Sequence, residues 1–307
     1  IFCRRIKTMP YTEIKEKNGK KYYYRVMSVR KGKKVNKKRF YLGVDLNKKE
    51  ISKKEIKADK ELLYLNNLLT EHEIKVLEEI KEKYKKQPKG NFENRYEVFT
   101  SDLTYNSTAI EGNTLTLQET AQLLFEGITP RKSMREINEV LNHKKAFDFI
   151  LNYKEDITKK FICNLHKIVV EDTLKDELKT QIGRFRNLQV YIRGADWLPP
   201  KPEDVPKEIK SLLFWYSKNK EKLHPLIVSA YFHAGFETVH PFVDGNGRTG
   251  RLLMNFILHK NNFPMINILN STKYKYYEAL EFAQIKGDLK PLVNLLLNIL
   301  NSAKVLF

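Results

Sequence analysis

The chain is predicted to be mainly α-helical, with a small basic β-containing module at its N-terminus, and three observations carry that prediction. Helix-start signals recur from about residue 60 onward, each followed by apolar residues at helical spacing. The first 60 residues instead hold β-prone runs rich in Tyr and Val. Charge changes at the same place: residues 1–60 hold 21 Lys and Arg against 6 Asp and Glu, whereas the other 247 hold 35 against 31. At 307 residues, 41% hydrophobic and 30% charged, the composition is that of a globular protein with room for one large domain and a small one. The boundary is placed at residue 60, giving a module over 1–60 and a domain over 61–307.

Taken in order, residues 1–8 lack the sustained apolar segment of a secretion signal, and Met9 is a candidate native start that would make them an upstream extension. Lys21–Arg30 and Val35–Leu42 flank the turn-like Lys31–Lys34, so a hairpin is expected there. A lone hairpin is marginal, so it should gain a third strand from residues 10–16 or pack on its neighbour. Tyr22, Tyr23, Tyr24 and Tyr41 among its lysines make it a candidate nucleic-acid surface, set against the plainer reading of a solvated lysine-rich sheet. Thr70 with Glu73 reads as a capping box ahead of Ile74, Leu77, Ile80 and Tyr84, and Pro88 and Gly90 end that helix. A helix from about Phe92 should stop at Gly112 and Asn113, which are good C-terminal residues. Thr116 with Glu119, Ser133 with Glu136, and Thr158 mark three further starts. Gln189–Arg193 and Trp197–Leu198 form a short β-prone pair around Gly194-Ala195-Asp196, closed by Pro199 and Pro200. The apolar run Leu292–Leu300 falls well short of the roughly 18–20 residues that span a bilayer, so no membrane segment is expected. Cys3 and Cys163 are too few for a disulfide framework, which points to a reducing, cytoplasmic compartment. His72, His143, His166, His224, His233 and His259 show no metal-ligand spacing.

The chemistry concentrates between His240 and Arg251, His-Pro-Phe-Val-Asp-Gly-Asn-Gly-Arg-Thr-Gly-Arg, which runs into the apolar-periodic helix of Leu252, Leu253, Phe256 and Ile257. Gly245 and Gly247 let backbone N–H groups approach phosphate oxygens, and the following helix presents its positive end to the same anion. Arg248 and Arg251, three apart, should project from the first turn as forked donors. Asp244 suits a hard cation such as Mg²⁺, and His240 is the group here that can take a proton near neutrality.

This stretch resembles the His-x-Phe-x-(Asp/Glu)-Gly-Asn-Gly-Arg-x-x-Arg signature of the Fic family, matching every fixed position. The resemblance implies a Fic-type helical catalytic domain and AMP transfer from ATP to a Ser, Thr or Tyr hydroxyl of a target protein, or of the enzyme itself, with pyrophosphate released. It implies His240 as base, Asp244 as Mg²⁺ ligand, and Gly245, Asn246, Gly247, Arg248 and Arg251 as phosphate-binding residues. The family branch that phosphorylates its targets carries Lys at the position of Gly247, which sets this chain with the nucleotide-transferring branch. Ser107-Thr-Ala-Ile-Glu-Gly112 is similar to the family's inhibitory motif, so Glu111 and Ser107, on a helix over about 92–112, should pair with Arg251 and take the place of a γ-phosphate. That implies weak basal activity, and the same carboxylate could serve removal of AMP. Residues 184–200 are similar to the family's β-hairpin flap, which docks the target, with Val190, Tyr191, Ile192 and Arg193 against the nucleotide. Tyr277 and Gln284 stand at nucleotide-side positions, although Gln284 replaces the more usual Asn. A homodimer is compatible with this reading. The alternatives are a phosphotransferase on the same scaffold and a nucleic-acid-binding regulator whose Fic-like core is inactive.

Overall fold

The computed structural model describes residues 11–31, 34–192, 197–302 and 307, and the chain groups into two compact units. The candidate start at Met9, the Gly32-Lys33 turn, Arg193 and the Gly194–Asp196 turn lie outside the described residues.

The first unit comprises residues up to Thr70 together with 221–223. It holds the antiparallel strands β1 (Tyr11–Lys17), β2 (Lys20–Lys31) and β3 (Lys34–Val44), in the order β1-β2-β3, followed by helix α1 (Lys48–Asn66). The third strand expected beside the hairpin is present as β1, paired from Tyr11↔Val26 to Lys17↔Lys20. Asn18 and Gly19, both with positive φ, form the two-residue turn that right-handed strand twist favours. Helicity begins earlier than the sequence pattern indicated: Asn47 and Glu50 form a reciprocal capping box, and the charge boundary at residue 60 falls inside α1. Tyr23, Leu42 and Ala58 are buried together, with Phe40, Leu46 and Ile51 packed around them. Because side chains alternate along a strand, Tyr23 points under α1, whereas its neighbours Tyr22 and Tyr24 meet Tyr41 instead. Tyr23 is therefore removed from the candidate nucleic-acid surface.

The second unit holds the other described helices: α2 (Glu71–Lys85), α3 (Phe92–Ile110), α4 (Leu117–Ala121), α5 (Met134–Asn152), α6 (Lys159–Val170), α7 (Val205–Asn219), α8 (Pro225–Val239), α9 (Asn246–Lys260), α10 (Lys273–Lys286) and α11 (Lys290–Ser302). Three expected starts are made as the sequence indicates: Thr116/Glu119 and Ser133/Glu136 are reciprocal capping boxes, and Thr158 accepts from the Phe161 N–H. Helices α8 and α9 form the centre, with α3, α5 and α6 against α9, and α7, α10 and α11 against α8. Helix α8 is apolar on nearly every side, as a central helix must be, and Leu226, Ile227, Val228, Phe232 and Phe236 are all essentially inaccessible. Among the described residues no helix is long and apolar enough to cross a membrane.

The flap departs from expectation. Its described arms, 187–192 and 197–201, carry no paired strand. Pro199 and Pro200 have no N–H for a ladder, and their carbonyls are taken by side chains instead: Gln189 Nε2 donates to Pro199 O and Arg186 Nη2 to Pro200 O.

Candidate active site

The site forms where α8 stops and α9 starts. His240 ends α8 in the left-handed region, with φ 47° and ψ 61°, and Pro241 follows. A non-glycine residue there costs about 1–2 kcal/mol and marks a functional turn when its surroundings hold it. Arg186, 2% exposed, supplies the hold. Its guanidinium donates to His240 O at 2.8 Å, Val239 O at 3.4 Å and Leu188 O at 3.1 Å, while its own N–H donates to Pro241 O at 2.9 Å. A buried cation thus satisfies the carbonyls that the end of α8 leaves without helical partners. Burial pushes the His240 imidazole down to about 4, against the raising influence of Glu237, Glu111 and Asp244. It is neutral at physiological pH and able to accept a proton. Glu237 Oε2 stands 3.9 Å from its Nδ1.

Loop 241–245 is fixed from below. The Asn246 amide donates to Phe242 O and accepts from Phe242 N–H, both at 2.9 Å. The His166 ring stacks on Phe242 at 3.6 Å; its Nδ1 accepts from Gly183 N–H at 3.1 Å, so its Nε2 carries the proton and donates to Asp244 O at 3.0 Å. Gly245 caps α9 at φ 75°, and a Cβ there would come within 2.5 Å of Val170 Cγ1. The first intrahelical bond is Thr249 N–H to Gly245 O. Helix geometry therefore leaves the N–H groups of Asn246, Gly247 and Arg248 to an anion, with no side-chain cap at Gly245 competing. Between 240 and 251, His240, Val243, Asp244 and Gly247 reach the surface and the rest are buried.

Arg248 and Arg251 do not share one target. Arg248, 2% exposed, reaches Asp244 Oδ1 at 3.4 Å and Glu139 Oε1 at 3.5 Å. Arg135 closes the same group, joining Glu139 and Asp244 Oδ2 at 3.2 Å each. Arg251, 3% exposed, donates to Ser107 Oγ at 3.1 Å, Ser107 O at 2.7 Å and Glu111 Oε1 at 2.8 Å. Burial would lower the pKa of this guanidinium, but the Glu111 carboxylate outweighs it and raises it. Glu111 lies directly on the first turn of α9: a Cβ on Gly247 would be 2.1 Å from its Oε1. The carboxylate therefore occupies space that an anion on that turn needs.

Residues 156–258 match the Fic/DOC family. This match spans about a third of the chain. The Fic protein adenylyltransferase of Nematostella vectensis is 38% identical over 195 residues, covering 62% of this chain and 44% of that protein. Its Drosophila melanogaster counterpart is 39% identical over 194 residues, covering 62% and 38%. The chain thus spans less than half the length of these curated relatives. Among solved structures, a Fic-domain signalling protein of Bacteroides thetaiotaomicron superposes with a TM-score of 0.67 at 28% identity, covering 74% of this chain and 93% of that one. Fic-1 of C. elegans also gives 0.67 at 28% identity, covering 84% and 76%.

Of the residues singled out in the sequence, the fold brings His240, Asp244, Gly245, Asn246, Gly247, Arg248, Arg251, Ser107 and Glu111 to one place. Tyr277 joins them by donating to Ile110 O at 3.2 Å, at the end of α3. Gln284 is half-buried two turns further along α10. Val190 and Ile192 are half-buried and Tyr191 is 77% exposed, on the irregular first arm of the flap. Sequence reasoning passed over Arg135, Glu139, His166 and Glu237. Glu237 had a signal, standing one helical turn before His240; the others lie on α5 and α6 and reach the loop only through folding.

Proposed function

We propose that this chain transfers AMP from ATP to a hydroxyl side chain of a target protein, and to itself, with Glu111 restraining the reaction. The observation that carries the reading is the uncapped N-terminus of α9 beside a neutral, strained His240, and the naming of its relatives as adenylyltransferases supports it. The β- and γ-phosphates would lie on the N–H groups of Asn246, Gly247 and Arg248. His240 accepts the hydroxyl proton as the oxygen attacks the α-phosphorus; the bond to the bridging oxygen breaks and pyrophosphate leaves. Glu111 and Asp244 favour the imidazolium that forms. No cluster of three metal-ligating side chains occurs among the described residues, which suits a cation that arrives on phosphate oxygens and takes one carboxylate. Asp244 is that carboxylate, partly accessible and with Oδ2 facing outward to Arg135; Mg²⁺ bound there would neutralise phosphate charge. With Glu111 on Gly247 and Arg251, the triphosphate can settle only in a displaced pose, out of line for attack.

The test is incubation with α-labelled and γ-labelled ATP plus Mg²⁺, followed by mass spectrometry of the modified residue. Transfer of the α-label as AMP is expected; transfer of the γ-label would replace this reading with phosphorylation.

A further inference from the structure

The first unit carries a surface that the AMP-transfer chemistry does not use. Its sheet has two faces, and α1 covers the one that bears Tyr23, Phe40 and Leu42. The other face is identified by contacts among its own side chains. Tyr24 and Tyr22 meet Tyr41 with ring centroids 5.3 and 6.4 Å apart, and Arg39 crosses β2 to Glu13 at 2.6 Å. The Lys15 ammonium stands over the Tyr24 ring at 5.7 Å, and that of Lys37 over the Tyr11 ring at 5.8 Å. Tyrosines thus line this face, and lysines stand over two of them.

The acidic residues do not neutralise this face. Residues 1–60 hold only six of them, and each has a partner elsewhere or is spent on one arginine. Glu55 and Asp59 hold Arg25 under α1 at 3.2 and 2.7 Å, Asp45 and Glu50 accept backbone N–H groups, Glu16 pairs with Lys21, and Glu13 is the partner of Arg39. Between Tyr11 and Val44 there are 12 Lys and Arg against two Glu, a surplus of ten positive charges. A surface with this surplus binds polyanions. The tyrosines narrow the class: a duplex hides its base faces, whereas a single strand can lay unstacked bases on aromatic rings and bring its phosphates to adjacent ammonium groups.

We propose that the sheet face opposite α1 binds single-stranded nucleic acid, stacking bases on Tyr11 and Tyr24 and holding phosphates with Lys15 and Lys37. This proposal does not depend on the Fic chemistry. The test uses the full chain, with fluorescence anisotropy of a labelled oligothymidylate and of a duplex of equal length across a salt series. The single strand should bind more tightly, with a log–log salt slope of about −0.7 per phosphate contact. Lys15→Glu combined with Lys37→Glu should flatten that slope and weaken binding. Tyr11→Ala, on an edge strand and 40% exposed in the parent, and Tyr24→Leu, which keeps bulk without the ring, should each weaken it roughly fivefold or more while leaving the slope in place. Circular dichroism establishes that each variant is folded. Equal binding of duplex and single strand, unchanged affinity in both tyrosine variants, or no binding at low salt would each overturn the proposal.

Discussion

At the scale of residues, His240 carries the heaviest assignment, because it combines a left-handed backbone, a largely buried and neutral imidazole, and a position beside the free N–H groups of α9. His240→Ala is expected to lower AMP transfer by roughly 10²- to 10⁴-fold with an unchanged circular dichroism spectrum; a variant as active as the parent would remove the mechanism. Since burial shifts this histidine from 6.5 to about 4, its neutral, base-competent form persists as pH falls and is lost only through that lower value. The acid limb of kcat/KM should therefore lie well below the usual histidine range, read only where the protein remains folded. A limb centred near 6.5 would mean that the imidazole is far less buried during turnover. Asp244→Ala should abolish the Mg²⁺ dependence of the rate, measured by titrating the metal at fixed ATP; an unaltered dependence would move the metal elsewhere.

Among the elements, the end of α3 bears the proposed restraint. Its terminal carbonyls are held from outside the helix, Ser107 O by Arg251 and Ile110 O by Tyr277, so the segment that bears Glu111 is docked by both a charge pair and two helix-end hydrogen bonds. Glu111→Gly removes the carboxylate from Gly247 and frees Arg251, and AMP transfer should rise more than tenfold, about 1.4 kcal/mol of barrier. Parent and variant are compared with Mg²⁺ present in both directions, since a carboxylate in this place can also position water for removal of AMP; equal forward rates would return Glu111 to an ordinary helix-end residue. The end of α8 makes a separate point. Arg186→Leu leaves the carbonyls of Val239 and His240 buried without their donor, at a cost on the order of 3 kcal/mol. A thermal melt checks that loss, and a melting temperature equal to the parent's would show that the turn holds itself.

For the molecule as a whole, the helical unit holds five histidines in neutral form, His143, His166 and His233 fully buried and His224 and His240 partly so. Burial brings His143 and His233 to about 3 and His166, His224 and His240 to about 4, all from 6.5. Between those values the unfolded chain binds protons that the folded chain refuses, so stability falls as pH drops from 6.5 towards 4, by about 1.4 kcal/mol per group per pH unit. Glu237 acts in the opposite sense: burial raises it from 4.5 to about 8, so its contribution declines as pH rises through that window. One group against five leaves the histidines in control. Helical circular dichroism should be lost cooperatively between pH 6.5 and 4, and a fold that persists unchanged to pH 3 would contradict the burial of these rings.

The twelve residues from His240 to Arg251 were legible because their chemistry is contiguous: a turn, a glycine pair and a helix start need only local backbone geometry to meet. The capping boxes at Thr116 and Ser133 were legible for the same reason, each being complete within four residues. Folding alone decided where the long side chains went. Arg248 and Arg251, read as one phosphate clamp three residues apart, turn to different acids because α5 brings Glu139 to one and α3 brings Glu111 to the other. Arg186 caps a helix more than fifty residues away, and His166 holds Asp244 across 78, pairings that no local spacing encodes. The described arms of the flap form no ladder because prolines withhold donors and because Arg186 and Gln189 claim the carbonyls a ladder would use. Local sequence therefore determined which groups gather at the proposed site. Tertiary packing determined which charges face one another, because burial makes each buried polar group find a partner wherever in the chain that partner lies.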